Sequence, residues 1–534
     1  MKYPIGIQDF ASIVQGGYVY VDKTDLVYRL AHEGKVYFLS RPRRFGKSLL
    51  LSTLKHYFFG HRELFRGLAI EQLEQEWAEY PVLHLTFAGC NFSRPDELQN
   101  ALEDAVARAE QMWGKNAAAR TLSDRFRSAL RAAHQQTGRR VVVLIDEYDK
   151  PLLDILDQPL YVTDAAGNRH RLDDFNREAL RGFYGVFKDA DEDLQFVMLT
   201  GVTKFSQVSV FSGFNQPNDI SMSAKYEALC GITEEELLRH FAPSIDELAA
   251  ALRLSREETL SRLKKKYDGY HFGDRLTELF NPFSLLNCFE TLSLRDFWFS
   301  SGTPTYLVRL LQHSDVQINE LAGKYYDASQ FVSYRADVEQ PLPMIYQSGY
   351  LTIKDYDREF GVYLLDFPNE EVRTGFIDVL AAHYFHESTQ PKSWVLEVTR
   401  ALRLGNLPLF EKHLTALLAS ATYRFQRKHD ERSCERHFQY TFYLIMQMLG
   451  FYNVVAEKES SEGRADCVVE SADFVYVIEF KLNSTAQAAL RQVVDKGYAL
   501  PYAADTRRVF AVGINFSSAK GTVDGFEAME LHPK

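Results

Sequence analysis

Phe38-Leu39-Ser40-Arg41-Pro42-Arg43-Arg44-Phe45-Gly46-Lys47-Ser48 is the stretch on which the reading of this chain turns. The apolar run Val36 to Leu39 predicts a short buried strand. Leu49, Leu50, Leu54 and Phe58 recur at helical spacing behind the loop. A strand, a tight loop and a helix start form the context in which backbone N–H groups and a helix N-terminus hold phosphate oxygens. Lys47 would bring a point charge to β and γ phosphates, and the Ser48 hydroxyl suits a Mg2+ position. The usual pattern carries another glycine five residues before Gly46, and here that position is Arg41. The match is degenerate, so its partners must be found elsewhere in the chain.

The first partner is Val141-Val142-Val143-Leu144-Ile145-Asp146-Glu147. Consecutive aliphatic residues predict a strand buried on both faces, as in a parallel sheet. Beside a phosphate loop, Asp146 can hold Mg2+ or its waters, and Glu147 can polarise an attacking water. Strand-end carboxylates are common, and it is their order after Arg41–Ser48 that points to a nucleoside triphosphate. Gln195 to Leu199 predicts a third buried strand. Thr200 at its tip is either a sensor of the terminal phosphate or a hydroxyl satisfying a strand-end backbone group. Upstream, Tyr18 to Lys23 reads as extended, with Thr24 the expected N-cap of a helix Asp25 to Glu33. Asp22 and Lys23 fit a solvated helix entry and a nucleotide neighbourhood equally.

At 534 residues the chain exceeds one core, and length suggests roughly three or four domains. Hydrophobic residues at 46% and charged residues at 25% are ordinary for globular protein. A net charge of -11 excludes a general basic coat but leaves room for a local basic groove. The five cysteines are scattered without a C-x-x-C pair, which suits reduced thiols in the cytoplasm. Met1-Lys2-Tyr3-Pro4 lacks the apolar core of a signal peptide, and no apolar run reaches the ~18 residues of a membrane helix.

Asp96 to Gln135 reads as helical. Residues 152–195 read as an insertion with a loop at 164–168 and a helix Asp174 to Asp189. Ile232 to Ala251 and Ser255 to Tyr267 read as helices, the first opening on a capping box at Thr233. The aromatic turns Tyr267-Asp-Gly-Tyr-His-Phe272 and Asn281-Pro-Phe-Ser284 mark a lid region, with His271 a structural residue. Beyond Trp298, helices at 305–313, 316–322 and 327–332 precede alternating segments Leu351 to Tyr356 and Val362 to Phe367, then a helix Glu370 to Phe385. This pattern is winged-helix-like, and without a basic recognition helix it reads as a packing or lid element. Residues 394–428 read as a helical connection.

The last hundred residues carry a second chemical signal. A helix Glu435 to Leu449 precedes Asp466 and the strand Phe474 to Ile478, which ends in Glu479-Phe480-Lys481. Residues i and i+2 share a strand face, so Glu479 and Lys481 enter one pocket, and a hairpin brings Asp466 to it. Two carboxylates can hold one or two divalent metals, while a lysine orients water or stabilises charge on phosphorus. Glu435 can complete the metal shell, and Gln492 lies on the following helix, Ala486 to Tyr498. The plainer alternative is a solvated aspartate and a Glu/Lys pair on an edge strand.

Tyr20-Val-Asp-Lys-Thr24, Arg41-Pro-Arg-Arg-Phe-Gly-Lys-Ser48, Asp146-Glu147, Thr200-Gly-Val202 and Tyr267-Asp-Gly-Tyr270 resemble the AAA-ATPase-like family of bacterial proteins. Gly463-Arg-x-Asp466, Glu479-Phe-Lys481 and Gln492 resemble the PD-(D/E)XK nuclease domain that commonly ends those chains, although Ala465 stands where that name has proline. The resemblance implies an α/β fold with a P-loop NTPase parallel sheet and a C-terminal restriction-endonuclease-like domain. The boundaries it suggests are an ATPase core at 1–230, a helical lid at 231–297, a winged-helix-like domain at 298–390, a connector at 391–428 and the nuclease-like domain at 429–534. It implies ATP and Mg2+ as cofactors, with Mn2+ an alternative at the nuclease site. Arg43, Arg44, Phe45, Gly46, Lys47, Ser48, Leu49, Asp146 and Thr200 would bind the nucleotide, with Ser48 and Asp146 on its metal. Glu147, Asp466, Glu479, Lys481 and Gln492 would be catalytic, with Glu435, Asp466 and Glu479 as nuclease metal ligands. Arg41, Arg43 and Arg44 would put extra positive charge beside the γ-phosphate. The implied partner is nucleic acid, DNA before RNA, with no membrane, and homo-oligomers are compatible with an ATPase of this type. Two functions follow: an ATP-controlled nuclease, or an ATP-dependent switch or scaffold whose nuclease-like domain binds without cutting.

Overall fold

The computed structural model describes residues 1–156, 158–163, 167–205, 217–300, 321–333, 341–384, 391–421, 439, 442, 446, 453–460 and 463–531. The chain forms two compact units, Met1–Arg373 and Thr374–Lys534. Among the described residues no helix is long and apolar enough to cross a membrane.

In the first unit, β1 (Val36–Ser40), β2 (Val82–Thr86), β3 (Val141–Asp146), β6 (Leu194–Gly201) and β7 (Asn218–Asp219) form one sheet, and β4 (Tyr161–Thr163) pairs with β5 (Arg169–Arg171) as a separate hairpin. The five-stranded sheet runs β2-β3-β6-β1-β7 with every pairing parallel. Every residue of β3 is buried, as its unbroken aliphatic run requires. The register aligns Ser40 with Gly201 and Thr86 with Asp146, so the loop after β1 and the carboxylates after β3 emerge from the same sheet edge, flanking β6.

Some local expectations are corrected. The helical stretch expected at Asp96 to Gln135 is two helices, Glu97–Trp113 and Leu122–Thr137; Gly114, at φ 97, ends the first. The insertion is a hairpin followed by a helix Leu172–Asp189 that starts two residues earlier than read. The upstream helix runs Thr24–Glu33 with Lys23, not Thr24, at the N-cap position, and Asp22 Oδ1 accepts from the Thr24 N–H at 2.9 Å. Three helices, Glu234–His240, Ala242–Leu252 and Arg256–Tyr267, replace the two expected, and the Thr233 capping box is present. They pack with Pro282–Thr291 around Leu237, Phe241, Ile245 and Phe289, where Tyr3 stacks on Phe241 and Phe289.

A second sheet in this unit, antiparallel and ordered β8-β10-β9, contains β8 (Lys324–Asp327), β9 (Thr352–Asp357) and β10 (Val362–Asp366). The helix Leu342–Gln347 precedes β9. Two strands were expected, and β8 is the third. The expected helices at 305–313 and most of 316–322 lie outside the described residues, and at 327–332 there is only a short 3-10 turn, Ala328–Gln330. His271 is buried, with Nδ1 2.8 Å from the Ile353 carbonyl, as suits a structural histidine.

The second unit is a five-stranded sheet in the order β11 (Asn453–Ser460), β12 (Gly463–Glu470), β13 (Phe474–Leu482), β14 (Arg508–Ser517), β15 (Thr522–Leu531). Only β13 and β14 are parallel, joined through the helix Ala486–Asp495. Alternation along β13 sorts its two faces. Tyr476, Ile478 and Phe480 join one core with Leu402, Phe410 and Leu414, and Val475 and Val477 join another with Val493 and Tyr498. The helices Pro391–Arg403 and Leu407–Ala421 therefore belong to this unit's core. Of the expected helix Glu435 to Leu449 only Gln439, Phe442 and Met446 are described, all helical, and Glu435 lies outside the described residues.

Candidate nucleotide and metal sites

Gly46, at φ 94, makes the left-handed turn from which the helix Lys47–Phe58 starts. Lys47 is buried, and its Nζ donates to the carbonyls of Arg41 at 2.9 Å and Pro42 at 3.0 Å. Burial pushes its pKa down, while Asp146 and Asp149 oppose that. Ser48 and Leu49, next in the helix, are half-buried.

Across β6, Asp146 is buried at the end of β3. Its Oδ1 accepts from the Thr200 hydroxyl at 2.7 Å and from the Glu147 N–H at 3.1 Å. The Thr200 hydroxyl therefore serves the carboxylate, and at 3.4 Å it also reaches the Ile145 carbonyl. Glu147 turns at φ 54, a left-handed conformation unusual for a side chain with Cβ. Burial, then the neighbouring Asp146, holds the Glu147 carboxyl above its ordinary range, with Lys47 and Arg43 pulling the other way. The loop and the two carboxylates are thus close enough to feel each other's charge.

The arginines divide. Arg41 is buried, and its guanidinium donates to the carbonyls of Ser40 (2.9 Å), Ser221 (2.7 Å) and Tyr226 (3.3 Å) while lying 4.1 Å over the Phe272 ring. Both terminal nitrogens of Arg41 are thus used on backbone, while its Nε is buried without a hydrogen-bond partner. Arg44, at φ 70, lies 4.2 Å over the Phe283 ring. Arg43 is exposed. Phe45 is buried edge-on to Tyr270 and Phe272.

A cleft of about 110 Å³ opens beside Gly46, lined by Tyr20, Val21, Leu49, Leu50, Ile232 and Pro282 among others. Its walls are mainly apolar. Lys23 lines it too, with its ammonium 2.6 Å from Glu236 of the helical region.

Sequence reasoning missed Asp149. It is buried, and its Oδ2 accepts from the N–H groups of Val202 at 2.9 Å and Thr203 at 2.6 Å, fixing the chain just past Thr200. Burial raises its carboxyl to about 6. The signal was present as a second aspartate in Asp146-Glu-Tyr-Asp149.

In the second unit, Cys467 pairs with Ile478, so the next step of the register sets Asp466 opposite Glu479. Asp466 Oδ2 accepts from the Phe480 N–H at 2.8 Å. Glu479 is only 3% exposed. Its Oε1 lies 3.2 Å from the Lys481 ammonium, and its Oε2 is buried without a hydrogen-bond partner. Burial and Asp466 raise the Glu479 carboxyl to about 7, against the pull of Lys481. An orphaned buried carboxylate oxygen facing a second carboxylate is a donor set that a hard divalent cation fits. Among the described residues no group of three or more His, Cys, Asp or Glu side chains is placed to hold a metal ion. Gln492 donates to the Tyr498 hydroxyl at 3.3 Å.

A parallel sheet with a phosphate-type loop after one strand and paired carboxylates after another, two strands away, defines an ATPase-type α/β unit. A β-hairpin presenting Asp, Glu and Lys defines a nuclease-type one. A family model described as a predicted AAA-ATPase matches residues 4–211, and that of the PD-(D/E)XK nuclease superfamily matches residues 433–525. The chain is 36% identical over 537 residues to an uncharacterized protein in the vnfD 5' region of Azotobacter chroococcum mcd 1, with 99% of each chain covered. The chain belongs to the AAA-ATPase-like family and carries a C-terminal PD-(D/E)XK nuclease superfamily domain.

Proposed function

We propose that the chain hydrolyses ATP with Mg2+ in its first unit and thereby controls a metal-dependent nuclease in its second, cleaving DNA in the cytoplasm as a defence against mobile elements. The buried Glu479, with its orphan oxygen opposite Asp466 and its other oxygen beside Lys481, is the observation that carries the reading. A decayed binding module has no reason to keep a carboxylate buried against its own desolvation.

In the ATPase half, the apolar cleft takes the base. Lys47 leaves the Arg41 and Pro42 carbonyls to meet the β and γ phosphates, and the helix start from Lys47 through Leu49 receives phosphate oxygens. Ser48 and Asp146 would hold Mg2+, with Thr200 orienting Asp146. Glu147, already held above the ordinary carboxyl range, accepts the proton of the attacking water. Arg43 is the loop arginine left to support developing charge.

In the nuclease half, Asp466 and Glu479, with Glu435, would hold the divalent ion. Bound there, such an ion supplies Lewis-acid polarisation of the phosphodiester and an activated water. Lys481 steadies that water or the charge on phosphorus, and Gln492 supports the helix beside it. The deciding assay offers plasmid, linear and single-stranded substrates with Mg2+ or Mn2+, with and without ATP, to wild type, Lys47→Ala and Lys481→Ala. Cleavage that needs Lys481 and responds to ATP only when Lys47 is present supports the proposal. Binding without cleavage under every condition favours a scaffold.

A further inference from the structure

Thr200–Phe205 leaves the sheet at the carboxylate edge and is fastened from two sides. On one side are the Asp149 carboxylate, described above, and the Tyr148 hydroxyl, which donates to the Thr203 carbonyl at 2.8 Å. On the other is the end of the helix Leu342–Gln347 with the turn that follows it. Gln347 Oε1 accepts from the Lys204 N–H at 2.9 Å, and its Nε2 donates to the carbonyls of Val332 at 2.7 Å and Phe331 at 3.3 Å. The Gln347 side chain is thereby locked, being only 5% exposed.

The same turn touches the phosphate loop. Gly349 sits at φ 88, and a Cβ there would lie 2.6 Å from both Cβ and Cγ of Pro42. Only glycine permits this approach. Trp298 adds a third hold: its Nε1 donates to the Arg43 carbonyl at 3.0 Å, and its ring lies 5.2 Å from that of Tyr350. One short turn thus contacts the limb of the loop whose carbonyls hold Lys47 and the segment continuing from the partner of Asp146.

Packing alone would be served by apolar side chains. Here an amide is directed at the main chain of the segment after Thr200, and a bare backbone at the Pro42 ring of the loop that holds Lys47. We propose that Gln347 and Gly349 are positioning residues for ATP hydrolysis, setting the Thr203–Lys204 segment and the Arg41–Pro42 limb of the loop against each other. The wing-bearing part of the first unit is then a component of the ATPase machinery. This rests on the ATPase reading above.

The two residues differ in what they should disturb. Loss of the Gln347 amide frees the Thr203–Lys204 segment and leaves the loop, the helix start and the base cleft in place. Turnover should suffer while nucleotide binding persists, since a misplacement of order 1 Å can cost about a hundredfold in rate. A Cβ at Gly349 pushes the loop itself, so binding should weaken.

The test uses the full chain, measuring steady-state Mg-ATP turnover, affinity for a fluorescent ATP analogue and the thermal unfolding midpoint. Gln347→Met keeps the volume and removes the hydrogen bonds. It should lower kcat about 10- to 100-fold with nucleotide affinity within about 3-fold of wild type. Gly349→Ala should weaken nucleotide binding about 10-fold or more. A Gln347→Met kcat within twofold of wild type overturns the inference. So does a parallel loss of kcat, affinity and unfolding midpoint, which marks a merely structural residue. A wild type that neither binds nor turns over ATP, indistinguishable from Lys47→Ala, overturns the ATPase reading and this inference with it.

Discussion

Replacing Glu479 by Gln should stabilise the metal-free protein at alkaline pH while ending the nuclease activity proposed for it. The native carboxyl titrates near about 7 instead of its ordinary 4.5, because it is buried and faces Asp466. At 1.36 kcal/mol per pH unit that gap is worth at most about 3 kcal/mol, and relaxation of a real site brings the expected figure to about 1–3 kcal/mol. The sign follows from proton uptake. Between about pH 4.5 and 7 the folded state keeps a proton that the unfolded chain releases, so this group's contribution falls as pH rises and is lowest above 7. Glutamine mimics the protonated acid at every pH. Wild type and Glu479→Gln should match below about pH 4 and diverge by about 1–3 kcal/mol, in favour of Gln, by pH 8. Denaturant unfolding of the full chain in EDTA across this range, with hydrogen exchange on peptides from β13, reads the difference where it arises. Excess Mg2+ or Mn2+ should shrink or reverse it, since a bound cation favours the charged carboxylate. A difference that is flat with pH, or that favours Glu at pH 8 in EDTA, would refute the account of this site.

Other outcomes follow from the same geometry. Thr200→Val removes the hydroxyl 2.7 Å from Asp146, and loss of one bond to a charged group should lower ATP turnover about 10- to 100-fold in a steady-state assay. Arg43→Ala should lower turnover with little change in unfolding midpoint. Arg44→Ala should do the reverse, costing about 0.5–1 kcal/mol of stability through the lost contact with Phe283. Lys481→Met should abolish cleavage in a plasmid assay while a gel-shift still detects nucleic acid.

Features written in local pattern were the most legible. The strand, loop and helix around Gly46 announce themselves through a change of hydrophobic period, and the buried Asp146-Glu147 strand through its unbroken aliphatic run. Likewise, the alternation in β13 puts Glu479 and Lys481 on one face, and a short turn after Glu470 then dictates the strand opposite. Gly114 shows a limit of attention more than of information, because a glycine after a long amphipathic stretch is an ordinary helix stop. Other features depend on distant chain. The Arg41 guanidinium is held by Ser221, 180 residues on, and Pro42 by Gly349. Nothing near the loop in sequence reports either contact. The helices Pro391–Arg403 and Leu407–Ala421 show apolar faces in sequence, but that they cover the C-terminal sheet is decided by packing.

The arginine at the position usually held by glycine constrains how this loop can mutate. Arg41 shapes the loop through what it bonds, whereas a glycine does so through what it lacks. Arg41→Gly, a step toward the familiar motif, would strand the Ser221 and Tyr226 carbonyls and uncover the Phe272 face at once. The familiar form of the loop is thus separated from this one by an intermediate worse than either. Residue 41, the backbone that carries the Ser221 and Tyr226 carbonyls and the ring of Phe272 form one unit, and grafting either loop onto the other's scaffold should fail unless these travel with it.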